Sequence, residues 1–107
     1  MVNPWAGEVA LVLDGEGCVM RLTLGALAEM EAALETGSLV DLVARFETGA
    51  FSSRDVLAVI VAGLRGGGWR GSAADLLSAE IEGGPLMAAR AAAQLLTRAF
   101  ALPEGGG

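Results

Sequence analysis

The chain has 107 residues, 53% of them hydrophobic and 19% charged, which is the length of one domain with enough apolar material for a core. Seven basic residues against thirteen acidic ones leave a net charge of −6, which argues against nucleic acid and against an anionic membrane surface as partners. There is no histidine, so no Ser–His or Cys–His nucleophile exists, and the single cysteine, Cys18, permits no internal disulfide.

The N-terminal MVNPWAGEVA shows no basic segment followed by an apolar run, so no signal peptide is read there. The longest apolar stretch, Val56 to Leu64, is far short of the about 20 residues that span a bilayer. The expectation is a soluble, cytoplasmic protein. It is read as a single domain over 1–107: a flexible arm at 1–6, a β-hairpin at 7–23, a helical body at 24–101 and a disordered tail at 102–107. The fold class expected is mainly α (α+β), a hairpin followed by about five short helices.

Along the chain, Val9, Leu11 and Leu13 alternate with Ala10 and Val12, as in a half-buried strand. The cluster Asp14-Gly15-Glu16-Gly17 is a turn, with Asp-Gly its strong part. The return strand puts Cys18, Met20 and Leu22 on one face. From Thr23 the period becomes helical, with Thr23 as cap and Leu27, Met30 and Leu34 on one side; Gly37 is expected to end this helix.

Three later segments open alike: Ser38-Leu-Val-Asp41, Ser52-Ser-Arg-Asp55 and Ser72-Ala-Ala-Asp75. In each, the serine oxygen can accept from a free first-turn amide, and the aspartate complements the positive helix end and can reach back to the serine amide. The first opens a helix carrying Leu39, Leu42, Val43 and Phe46, stopped by Gly49. The second, about 53–65, is apolar on nearly every side and belongs at the centre. Its β-branched content also permits a strand, and the Ser52/Asp55 start favours helix. The third is short and holds Leu76, Leu77 and Ile81. Gly83-Gly84 breaks it, and Pro85 opens a last helix to about Ala101 with Leu86, Ala89, Ala93, Leu96 and Phe100 on its apolar face.

Gly66-x-x-x-x-Gly71-Ser72 matches part of a phosphate-binding loop. Ser72 stands where that motif needs a lysine, and a helix precedes where it needs a strand. Gly66–Gly68 therefore read as the unwinding of a buried helix. Glu29, Glu31 and Glu35 read as a solvated face, and Cys18 as a small apolar filler. No catalytic, cofactor-binding or metal-binding residues are assigned, and the chain is not read as an enzyme.

Three stretches in this order, MRLTLGALAEMEAAL, VLAVIVAGLRGGG and IEGGPLMAARAAAQLLTRAF, resemble the tail-assembly-chaperone-like proteins of gene transfer agents and related phages. The likeness runs from about Gly7 to Phe100. It implies a non-enzymatic assembly factor, a tail assembly chaperone that binds the tape-measure protein and promotes polymerisation of the tail tube protein. The alternative it leaves open is a structural tube component retained in the finished particle. Against that alternative stands the single hairpin, because tube subunits usually need extensive sheet. The resemblance implies no cofactor, a bacterial host cytoplasm or association with the particle, and a possible homo-oligomer. Candidate protein-binding residues are Trp69 and, on the alanine-rich last helix, Leu86, Ala89, Ala92, Ala93 and Leu96. A tryptophan in such a loop either anchors an interface or folds back on the core.

Overall fold

A computed structural model describes residues 7–34 and 38–100. The element order is β1 (Val9–Leu13), β2 (Glu16–Met20), α1 (Leu24–Ala33), α2 (Leu39–Thr48), α3 (Ser53–Gly66), α4 (Ala73–Leu77) and α5 (Gly84–Phe100). The expected hairpin followed by five helices is present. The arm at 1–6, Glu35, Gly37 and the tail from 101 lie outside the described residues.

The hairpin turns on two residues. Asp14 (φ 51°) and Gly15 (φ 80°) are both left-handed, as the favoured two-residue turn requires. The register pairs Val9 with Met20 and Leu13 with Glu16. The second strand thus begins at Glu16, so the expected four-residue turn cluster shortens to two residues. Val9, Leu11, Leu13 and Met20 are buried.

Helix α1 starts as expected, with the Thr23 hydroxyl accepting from the Ala26 amide at 3.1 Å. It stops at Ala33, before Gly37, because Leu34 is already extended (ψ 129°). Each of the three serine starts is a complete capping box. Asp41, Asp55 and Asp75 accept from the Ser38, Ser52 and Ser72 amides at 3.1, 2.9 and 2.8 Å. The serine oxygens accept in return from the aspartate amides. Aspartate is long enough to serve where glutamate is the usual partner. Gly49 closes α2 in the left-handed conformation (φ 77°).

The segment that also admitted a strand is helical, Ser53–Gly66, and forms the hub of the body. Helices α1 and α5, β2 and α4 all pack against it. Val59, Ile60, Ala62 and Leu64 are buried on it. Its C-terminal glycines do more than release the helix. A Cβ on Gly66 would lie 1.9 Å from the Arg21 carbonyl oxygen, and one on Gly67 would lie 1.9 Å from that of Val19. The end of α3 rests directly on the backbone of the second strand, and the Arg21 amide donates to the Gly63 carbonyl at 2.9 Å.

On α5 the buried residues are Ala88, Ala91, Ala92, Leu95 and Leu96. The expected face through Leu86, Ala89, Ala93 and Phe100 is a correction. Leu86 is 65% and Phe100 41% exposed, and only Leu96 of that set is inside. An alanine-rich helix has little side-chain contrast of its own, so its orientation follows from what it meets. Here Leu95 seats in the notch above Gly63. On α4, Leu77 is 74% exposed while its neighbour Leu76 is buried.

Candidate interaction surface

The glycine stretch offers no cradle for an anion. Its amides are already used: Gly67 donates to Gly63 and Leu64, Gly68 to Arg65, and Trp69 to Leu64. A phosphate loop works by pointing such amides at its ligand. Arg65 is likewise engaged, with Nε on Glu29 Oε1 at 2.8 Å and Nη1 on the Gly71 carbonyl at 3.1 Å. Trp69 is half-buried and packs against the core. Its ring covers Gly71, where a Cβ would come within 2.1 Å of it.

The charged side chains that face inward satisfy one another. Arg45, in the last turn of α2, grips Asp55 with two hydrogen bonds of 2.9 Å, Nε to Oδ2 and Nη2 to Oδ1. Asp55 also takes the Ser52 amide, so one buried carboxylate starts α3 and ties it to α2. The Arg45 hydrogen bonds hold its carboxyl below the usual carboxylate range, against the opposing effect of burial. Beside this pair Phe46 and Phe51 stack, centroids 4.6 Å apart and 5° from parallel. Burial, with the neighbouring Glu16 charge, pushes the Cys18 thiol up, so it stays protonated and poorly nucleophilic. Among the described residues no buried side-chain nitrogen or oxygen lacks a partner, and no cluster of three metal-binding side chains occurs.

Two grooves flank α3. The larger, about 730 Å³, lies against α1 and is lined in part by the two ion pairs, Glu29–Arg65 and Arg45–Asp55. The second, about 490 Å³, runs between α3, α4 and the start of α5. Its floor is apolar, formed by Val56, Ile60, Leu76, Ile81, Pro85 and Ala88, and Arg54 is the one charged residue of its lining. Leu77 lines it while standing 74% exposed. Leu86 (65% exposed) and Met87 (42%) extend the apolar surface along α5.

The residues singled out from the sequence are thus separated. Ala89 lines the second groove, and Leu86 stands beside it. Ala93 is half-buried. Ala92 (0% exposed) and Leu96 (2%) lie inside, packed in the hydrophobic core, where a partner does not reach them. Trp69 follows the opposite end of α3 from the Ser52 start. Leu77 was missed as a surface residue. No local signal marked it: consecutive apolar residues on a helix can share one core, as Leu95 and Leu96 do on α5, and a five-residue helix is too short to show which of Leu76 and Leu77 faces inward.

Comparison with known proteins gives one family. The sequence model described as phage tail tube protein, GTA-gp10, matches residues 6–102, and the chain belongs to this family. No curated protein and no solved structure matches significantly. The family's description overturns the expectation of a tail assembly chaperone, because it names a component of the tail itself. Among the described residues no helix is long and apolar enough to cross a membrane.

Proposed function

We infer that the chain is a structural subunit of a phage-like tail of the gene-transfer-agent type, retained in the finished particle. The family match over residues 6–102 carries this reading. The molecule's chemistry agrees with it. Inward-facing charges are spent on each other, the glycine loop is spent on packing, and the groove between α3, α4 and α5 leaves an apolar lining open, with Leu77 exposed in it. Such a surface serves contact with another polypeptide.

The single hairpin, which counted against a tube role, limits how the subunit joins its neighbours. Its partners are other tail proteins, including copies of itself. If the tail encloses a tape-measure protein, that protein is a further neighbour. Particle association follows from the same reading.

Reconstruction of purified tails by electron cryo-microscopy tests this. Repeating density that accepts the hairpin and α1–α5 is expected. A tail wall of sheet alone, with no density for this fold, overturns the reading.

A further inference from the structure

We propose that the groove between α3, α4 and α5 is the surface on which a second copy of this chain docks, with Leu77 and Leu86 of each copy as the inserting side chains. The proposal rests on the tail-subunit reading and assigns that subunit's self-contact.

Three observations lead there. First, the hairpin is a poor site for strand addition. At the turn Asp14 donates to the Glu80 carbonyl at 2.7 Å, and on the first strand Glu82 donates to the Val12 carbonyl at 3.0 Å while Leu13 and Ile81 form an antiparallel bridge. The Asp14 carboxylate also accepts from the Glu80 amide at 2.8 Å. Arg98 of α5 takes the Glu8 carbonyl. On the second strand, Gly67 lies against the Val19 carbonyl, and just past the strand's end the Arg21 amide donates to the Gly63 carbonyl. Edges occupied in this way resist pairing with another chain.

Second, the charge distribution favours this groove for a contact between identical acidic chains. Each copy carries −6. The groove's lining contains no carboxylate, and Arg54 is its one charge. The larger groove holds Glu29 and Asp55 in its lining. Two like-charged copies meet with least repulsion where neither presents an acid.

Third, one chain supplies both halves of the contact. Leu77, 74% exposed, lines the groove together with Ile60, Leu76 and Ile81, and Leu86, 65% exposed, directly follows Pro85 of the lining on α5. A patch that carries both projection and recess offers the two halves that a two-fold contact between copies pairs, residue i of one meeting residue j of the other.

Sedimentation equilibrium of the full chain over a wide concentration range tests the proposal. Wild type is expected to associate reversibly, and more tightly as salt screens the mutual repulsion. Leu77→Asp and Leu86→Asp, at exposed positions, are expected to keep native circular dichroism and to weaken association at least about tenfold, since each puts a desolvated charge in the contact. Leu24→Asp and Val40→Asp, also exposed but elsewhere, are expected to associate like wild type. A wild-type chain that stays monomeric at several hundred micromolar overturns the proposal. So does undiminished association of the Leu77 and Leu86 variants, or equal loss in the Leu24 and Val40 variants. A monomer that is nonetheless abundant in particles overturns this contact alone and leaves the tail-subunit reading intact.

Discussion

Leu95 fills the space in which a side chain at Gly63 would stand: a Cβ there would come within 2.6 Å of Leu95 Cδ1 and 3.2 Å of Met20 Cβ. This contact locks α5, α3 and the hairpin together at one point. Gly66 and Gly67 continue it along the backbone of the second strand, with carbonyl oxygens in place of a leucine methyl.

The three glycines therefore differ in what an alanine costs. Gly63→Ala presses on a leucine methyl and on the Met20 Cβ, an overpacking cost of about 1–3 kcal/mol. About 1 kcal/mol of that is returned by the better helix propensity of alanine. Gly66→Ala and Gly67→Ala press on backbone and cost more, because the hairpin must lift off α3. Urea unfolding is expected to rank Gly63→Ala as the mildest of the three. The reverse order contradicts the packing described.

Asp55 links acid stability to one carboxylate. Its folded pKa is lowered, first by the hydrogen bonds from Arg45. The stabilisation is thus fully present above the unfolded value of about 3.9 and is lost as pH falls through the lowered folded value. Asp55→Asn is expected to lower the Tm at pH 7 by about 5 °C or more. The gap between wild type and variant should narrow as the pH drops below about 4. Thermal unfolding followed from pH 7 to pH 2 checks this; a gap that widens in acid contradicts it.

The three capping serines are equivalent locally but not globally. Ser38→Ala, Ser52→Ala and Ser72→Ala each remove one side-chain cap, worth about 1 kcal/mol. Helix α3 is the hub, so loss at Ser52 is expected to appear in full in global unfolding. Helix α4 has only five residues. Ser72→Ala is expected to raise amide exchange chiefly within α4, with a smaller change in the global midpoint.

Ala92 and Leu86 separate core from surface on the same helix. Ala92→Arg places a charge at a site with 0% exposure and is expected to abolish cooperative folding. Leu86→Asp is expected to stay within about 0.5 kcal/mol of wild type. Circular dichroism melts of the two variants distinguish them. A folded Ala92→Arg places that face outside and contradicts the buried arrangement of α5.

Much of the fold was legible because local signals agreed with one another. The Asp14-Gly15 turn, the alternation of Val9, Leu11 and Leu13, and the three Ser–Asp starts each name their element from a few adjacent residues. What failed to read depends on distant partners. The Arg45–Asp55 pair crosses a loop, and nothing in SSRD shows that the cap aspartate also binds an arginine. The roll of α5 follows from a notch at Gly63, and runs of alanine carry no periodic contrast to reveal it. The glycines after Leu64 read as a turn; their close approach to the second strand depends on residues more than forty positions earlier. The groove falls in the same class, since α3, α4 and α5 must be assembled before its floor exists.

Quantitative mass spectrometry of purified particles tests the central claim most directly. A structural tail subunit is expected in many copies per particle, in a fixed ratio to the other tail proteins. Absence or trace amounts in particles with complete tails would contradict it.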